Sequence, residues 1–177
     1  MQYNLKNKKV FITGASSGIG KAICKKFIEN GCVLICTSTN TDKLEKLKIE
    51  LGSNHFFYKL DFYYTNQLSE NIKLISEQHK DIDILINNAA ITDDNLFLRM
   101  KEAQWNEVIK VNLNSNYYII KGILPSMLKN RKGCIIGISS LVAFTGNPGQ
   151  ANYTASKSAM ISMYKSIALE VAQRNIR

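Results

Sequence analysis

The chain has 177 residues, of which 45% are hydrophobic and 21% are charged, and its formal net charge is +9 at pH 7. This length suits a single domain over residues 1–177, and the scattered lysines and arginines form no basic stripe, which argues against a nucleic-acid-binding protein. No apolar run approaches the roughly 20 residues that span a bilayer and the first residues are too polar for a secretory signal, so we expect a cytoplasmic protein that contacts no membrane.

A glycine-rich loop lies between the first predicted strand and the first predicted helix. Residues 10–12 are an apolar run, and the apolar residues from Ile19 onward recur at helical spacing. Gly14, Gly18 and Gly20 allow a sharp turn and a close approach of a pyrophosphate to the amides at the helix N-terminus. The loop predicts a dinucleotide site, with an ordinary glycine turn as the alternative at this point.

The rest of the chain alternates apolar strand patterns with amphipathic helix patterns. Strands are predicted near residues 33–36, 56–60, 82–86 and 135–138, and helices near 44–51, 68–75, 104–129 and from 152 onward. The alternation predicts an α/β fold, a doubly wound parallel sheet of the Rossmann type with strand order 3-2-1-4-5. Ligands of such sheets bind at the carboxyl ends of the strands, where the glycine loop and residues 87–90 meet. The long helix should be interrupted near residues 112–116.

The fifth predicted strand has no evident neighbour on its outer side. In this architecture the strand normally lies inside the sheet, yet the sequence ends at Arg177, directly after the last helix, without a sixth strand. An exposed apolar edge is a pairing and aggregation hazard. We therefore expect either that a partner covers this edge or that the chain is incomplete.

A tyrosine and a lysine near the start of the last helix are the candidate catalytic residues. Tyr153 and Lys157 are four residues apart, so their side chains share one helix face, and an ammonium beside a phenol favours the phenolate. The phenol can then protonate a developing alkoxide, while Ser140, after the fifth strand, can hydrogen-bond a substrate carbonyl. Taken alone, the pair could be a surface feature.

The cysteines lack paired spacing and His55 and His79 lie far apart, so we expect buried reduced thiols and no metal site.

Together these motifs resemble those of the short-chain dehydrogenases and reductases. Residues 13–20, 87–89, Asn112, Ser140 and the Tyr153–Lys157 pair match the family's motifs in order and spacing, over nearly the whole chain. Further stretches look like the 3-oxoacyl-(acyl-carrier-protein) reductases of fatty-acid synthesis, namely residues 94–96, 99–101, 105–106 and 149–153. The resemblance implies NADPH-dependent reduction of a 3-oxoacyl thioester carried by acyl carrier protein. It also implies a homo-oligomer if the chain were complete.

The resemblance also implies a role for each matching residue. Tyr153 would be the general acid, Ser140 would hold the substrate oxygen, Lys157 would bind the nicotinamide ribose, and Asn112 would hold a water connected to Lys157. The implied cofactor site consists of Gly14, Ser16, Ser17, Gly18, Ile19, Gly20, Thr39, Asp61, Asn88 and Ala89, with Tyr153 and Lys157 shared between the two sites. Asp61 would contact the adenine, Asn88 would brace the loop with Thr13, and the hydride would come from the cofactor.

The choice of cofactor depends on the end of the second strand. An acidic side chain there would bind the ribose hydroxyls of NAD and repel a 2′-phosphate, and residues 37–40 include none, which favours NADP over NAD. Ser17 stands where NADP-using relatives often carry a basic residue, so no arginine for the phosphate is evident. Ala90 replaces the glycine usual after Asn-Asn-Ala and adds a methyl group beside the cofactor.

The family continues past Arg177 into a sixth strand, a Pro-Gly turn, a substrate-covering segment and a seventh strand. We therefore interpret this sequence as a C-terminally incomplete form of such a reductase. Two alternatives stay open. One is a non-catalytic, truncated or decayed remnant, and the other is a short-chain dehydrogenase that acts on a different carbonyl or alcohol.

Overall fold

A computed structural model describes residues 5–177 of the chain. Within these residues, a parallel sheet is formed by β1 (Lys9–Ile12), β2 (Val33–Ser38), β3 (Phe56–Lys59), β4 (Ile82–Asn87) and β5 (Cys134–Gly137). The strand order is β3-β2-β1-β4-β5, so the predicted order is confirmed. The carboxyl ends of β1 and β4, which are neighbours in the sheet, therefore open onto one crevice.

The helices cover both faces of the sheet. They are α1 (Gly18–Glu29), α2 (Thr41–Leu51), α3 (Thr65–Gln78), α4 (Glu102–Ile109), α5 (Ser115–Asn130), α6 (Val142–Thr145) and α7 (Ala151–Val171), with 3-10 turns at Phe97–Arg99 and Ala172–Arg174. Successive side chains of β1 point to opposite faces, so Val10 and Ile12 pack in one apolar cluster and Phe11 in the other. Burial on both faces explains why the inner strands β1, β2 and β4 are largely apolar.

The predicted long helix is two helices joined by a wider turn. A π-helical turn at Lys110–Asn114 separates α4 from α5, and the Ser115 N–H donates to the Lys110 carbonyl, five residues earlier. The interruption expected near residues 112–116 is therefore confirmed. It brings Val111 and Asn112 inward as buried residues.

The outer edge of β5 is partly paired, which differs from the expectation of a bare edge. After α7 and its 3-10 turn, Asn175 adopts a left-handed conformation with φ of 55° and reverses the chain. Ile176 then pairs in parallel with Gly133, the Ile135 N–H donates to the Arg177 carbonyl at 2.8 Å, and the Arg177 N–H donates to the Gly133 carbonyl at 3.1 Å. This pairing could not be predicted from the sequence, because two residues are too few to show a strand pattern.

The cysteines are free thiols inside the fold. Cys24, Cys32 and Cys36 are buried, as predicted, whereas Cys134 is half-buried. Among residues 5–177, no helix is both long enough and apolar enough to cross a membrane.

Candidate active site

The glycine loop after β1 is shaped by two glycines and left open at the third. Gly14 has a φ of 62°, and a Cβ there would lie 3.0 Å from the Ala89 Cα. A Cβ at Gly20 would lie 2.2 Å from the Gly14 carbonyl oxygen, so the first turn of α1 packs directly under the loop. A Cβ at Gly18 would meet no atom within 4 Å. The absence of a Cβ at Gly14 and Gly20 therefore allows close packing of the loop against residue 89 and of α1 against the loop. A ligand can approach on the open side at Gly18.

The end of β4 braces this loop through Asn88 and Thr13. The Asn88 Nδ2 donates to the Thr13 carbonyl at 3.0 Å, the Gly14 carbonyl at 3.1 Å and the Ser17 Oγ at 3.3 Å. In return, the Thr13 Oγ1 accepts from the backbone N–H groups of Asn88 and Ala89, each at 3.0 Å. Ser17 also caps α1 by accepting from the Gly20 N–H at 3.0 Å. These bonds fix the turn at the start of α1, where Gly18 and Ile19 are exposed and their backbone N–H groups have no partner within the helix.

A cleft of about 670 Å³ opens beside the loop. Seven of the residues predicted to bind a cofactor line it, namely Gly14, Ser16, Ser17, Thr39, Asp61, Asn88 and Ala89. Gly18 and Ile19 lie next to it at the exposed start of α1, and Gly20 is buried beneath the loop rather than on the cleft wall. Ala90 lies on the wall as expected, and its side chain is exposed. The volume of the cleft is within the usual range for a cofactor site, and the N-terminus of α1 beside it is suited to a phosphate.

The cleft also contains a cation that the sequence interpretation missed. Lys43, in the first turn of α2, lines the cleft wall with Ser38 and Thr39. Its backbone N–H donates to the Asn40 Oδ1 at 2.8 Å, which fixes the start of α2 beside the end of β2. No ion pair joins Lys43 to a carboxylate in the part of the chain that the structure describes. Lys43 could have been identified from the sequence by its position in the first turn of the helix that follows the second strand.

The second group of predicted residues lies on α7. Lys157 is only 3% exposed, and its Nζ donates to the Ile138 carbonyl at 2.7 Å, just beyond β5. The same Nζ lies 5.7 Å from the centroid of the half-buried Tyr153 ring. Burial lowers the pKa of Lys157 to about 8, because the charged form loses its hydration. The predicted tyrosine and lysine are therefore neighbours in a partly dehydrated setting.

Asn112 lies beneath this pair with its side chain fully engaged. Its Oδ1 accepts from the Ile91 N–H at 2.8 Å, and its Nδ2 donates to the Ile91 carbonyl at 2.9 Å and to the Ser156 Oγ at 3.2 Å. Ser156 in turn donates to the Tyr153 carbonyl at 2.7 Å. The Asn112 side chain thus ties the π-helical turn to α7 and to residue 91. The predicted water would therefore be held by the Asn112 backbone carbonyl, which also accepts from the Asn116 Nδ2 at 2.8 Å.

The two serines after β5 face different surroundings. The Ser139 Oγ donates to the Lys157 carbonyl at 3.4 Å, and Ser139 lines an apolar groove between β5 and α7. Ser140 follows it and is half-buried. The Ser140 carbonyl oxygen accepts a hydrogen bond from the Ala143 N–H at 3.1 Å. Ser139 is therefore engaged in packing α7 against β5. This leaves Ser140 as the better candidate for the predicted contact with a substrate oxygen.

Residues 88–91 run from the cleft to Asn112, whereas Asn112, Ser140, Tyr153 and Lys157 are not among the described residues that line the cleft. Asn88, Ala89, Ala90 and Ile91 all line the cleft, and Ile91 is also bonded to Asn112 beneath α7. A dinucleotide that enters beside the glycine loop and follows this segment would be led towards Tyr153 and Lys157. The arrangement combines an anion-binding loop, a phenol and a buried amine, which suits proton transfer coupled to a bound redox cofactor.

Several known proteins resemble this chain in sequence or in fold. A family model described as short chain dehydrogenase matches residues 8–177. The 3-oxoacyl-(acyl-carrier-protein) reductase of Buchnera aphidicola from Acyrthosiphon pisum is 46% identical over 98% of this chain and 71% of its own length, and that of Escherichia coli K12 is 39% identical over the same shares. A solved structure of a short chain dehydrogenase/reductase family protein superposes with a TM-score of 0.92 at 24% identity, covering 99% of this chain and 73% of that one, which supports the fold.

Proposed function

This chain belongs to the short-chain dehydrogenase family, a family of oxidoreductases, and we propose that it reduces a 3-oxoacyl group to the 3-hydroxyacyl form with NADPH. The acyl group would be carried as a thioester on acyl carrier protein, as the names of the relatives indicate for those proteins. The observation that carries the proposal is the buried Lys157 amine beside the Tyr153 ring, one segment away from the dinucleotide cleft.

Three residues of the chain would have separate roles in the reaction. NADPH held beside the glycine loop would supply the hydride. The Ser140 hydroxyl would hydrogen-bond the substrate carbonyl oxygen, and the Tyr153 phenol would donate its proton to that oxygen as negative charge develops. Lys157, with a pKa lowered to about 8 by burial, is mostly protonated at pH 7. Its positive charge would therefore favour the phenolate that remains on Tyr153.

Lys43 supports NADPH over NADH as the cofactor. It is the cation on the wall of the cleft beside Thr39, at the end of β2, where the adenosine ribose of a dinucleotide lies in this class of fold. A phosphate on that ribose would meet the ammonium of Lys43, whereas the two hydroxyls of NADH would not need it. The acid that favours NAD is absent at residues 37–40.

Substitution of Lys43 tests this part of the proposal. Lys43→Ala should raise the dissociation constant of NADPH about tenfold, because a charge-assisted contact to phosphate is lost, and should leave that of NADH unchanged. Lys46→Ala, on the same helix but outside the cleft, is the matched control. Fluorescence titration measures both constants. Equal weakening of NADPH and NADH, or no effect on either, would remove Lys43 from phosphate recognition.

The reaction itself is tested with an acetoacetyl thioester and NADPH. Turnover is followed by the loss of NADPH absorbance, and Tyr153→Phe should abolish it while NADPH binding is retained. Tyr117→Phe, which alters an exposed tyrosine on α5, is the control and should leave turnover unchanged. NADPH binding without turnover in the unmodified chain would favour the non-catalytic alternative. Unchanged turnover in Tyr153→Phe would contradict the proposed role of the phenol.

A further inference from the structure

A chain of side-chain hydrogen bonds connects β4, α5 and α7 below the site. The Tyr164 hydroxyl on α7 donates to the Asn116 Oδ1 at 2.8 Å and accepts from the Asn87 Nδ2 at 2.6 Å. The Asn116 Nδ2 then donates to the Asn112 carbonyl at 2.8 Å, within the π-helical turn. One phenol thus joins the last residue of β4 to the turn that carries Asn112.

The position of Tyr164 on α7 relates it to the catalytic pair. Tyr164 follows Tyr153 by three helical turns and Lys157 by two, so all three side chains lie on one face of the helix. The sheet leaves room for the ring at Gly137, where a Cβ would lie 2.9 Å from the Tyr164 ring atoms. The glycine that ends β5 therefore allows the tyrosine to reach between the strands and α5.

The hydrogen bonds of this cluster have a fixed direction. Burial raises the pKa of Tyr164 above its usual value, so the phenol stays protonated. Its O–H therefore donates the hydrogen bond to the Asn116 Oδ1. Asn87 is 3% exposed, and its Oδ1 has no hydrogen-bond partner within the described residues. Within the described part of the chain, the Asn87 side chain therefore depends on Tyr164 for its hydrogen bond. Removal of the hydroxyl would leave buried polar groups on Asn87 and Asn116 without partners.

We infer that Tyr164 and Asn116 are positioning residues, which hold the Asn112 carbonyl and the active face of α7 in register with the end of β4. Asn88, the next residue after Asn87, braces the glycine loop, so the same bonds connect the cofactor half of the site to the half that contains Tyr153 and Lys157. The inference rests on the proposed reaction for its kinetic readout only. Its structural readout is independent of turnover.

Kinetic measurements on single and double variants test the inference. Tyr164→Phe and Asn116→Ala should each lower kcat about tenfold, since small displacements of reacting groups cost rate, while the dissociation constant of NADPH changes less than about twofold. Because the tyrosine acts through Asn116, the double variant should lose little more than either single variant. Tyr58→Phe is the control, because it removes hydrogen bonds to Gln78 and His79 at β3, the edge strand opposite β5. Independent, multiplying losses would overturn the inference.

Hydrogen exchange of the backbone amides supplies the readout that does not need activity. In Tyr164→Phe, amides of residues 110–116 should exchange at least about tenfold faster, since the turn loses a fixed contact, and in Tyr58→Phe they should not change. If the unmodified chain lacks turnover but exchange accelerates as stated, the proposed reaction fails and the positioning role stands. Unchanged exchange and unchanged kcat in Tyr164→Phe would refute the positioning role while leaving the reaction intact.

Discussion

Replacement of Lys157 by methionine should abolish turnover and, at neutral pH, stabilise the fold. Lys157 is 3% exposed, and burial lowers its pKa from 10.5 to about 8. A site that holds a dehydrated amine for catalysis does so at a cost in stability. Methionine has a similar length and carries no charge, so the variant removes that cost.

The size and the pH dependence of the effect follow from the two pKa values. Below pH 8 the amine is protonated in both the folded and the unfolded chain, and the difference between 10.5 and about 8 corresponds to about 3 kcal/mol of lost stability. Above pH 8 the folded chain releases the proton first, so the cost fades towards pH 10.5 and is about 1.4 kcal/mol at pH 9.5. The variant also loses the hydrogen bond to the Ile138 carbonyl, worth about 1 kcal/mol. The net gain is then about 2 kcal/mol at pH 7 and below about 0.5 kcal/mol at pH 9.5.

Urea unfolding followed by circular dichroism, at several values between pH 7 and pH 9.5, measures this difference. Lys165→Met is the matched control, because Lys165 lies on the same helix with its side chain exposed. The control should change the unfolding free energy at pH 7 by less than about 0.5 kcal/mol. A Lys157→Met variant that is less stable than the unmodified chain at pH 7, or whose advantage is the same at every pH, would refute the reasoning.

Two further predictions concern the glycine loop. Gly20→Ala should lower the unfolding free energy by about 2 kcal/mol or more, because its Cβ would lie 2.2 Å from the Gly14 carbonyl oxygen, whereas Gly18→Ala should change it by less than about 1 kcal/mol and weaken NADPH binding instead. Urea unfolding and fluorescence titration separate these effects, and equal destabilisation by both variants would contradict the assigned roles. Asn88→Ala should cost about 2 kcal/mol and weaken NADPH binding, because three acceptors of the loop lose their donor; a thermal melt with unchanged midpoint would count against the brace.

The elements and their order could be predicted because they depend on local patterns. Each strand is a short apolar run and each helix repeats its apolar residues at helical spacing, so alternation along the chain is enough to indicate a doubly wound sheet. The break at residues 112–116 was also visible, since polar residues interrupt an apolar face there. The glycine loop and the Tyr153–Lys157 spacing likewise needed only neighbouring residues in sequence.

The amino-acid sequence by itself thus determined the strand order, and it predicted the edge of the sheet for a ligand and the side chains that would move a proton. Only the tertiary structure decided that Lys43 faces the cleft, that Ser139 packs against α7, and that Tyr164 is bonded to Asn87 and Asn116. Contacts of this kind join residues far apart in the chain, and their distances depend on how helices dock on the sheet. Periodicity gives the face on which a side chain lies, whereas packing selects the atom that it meets.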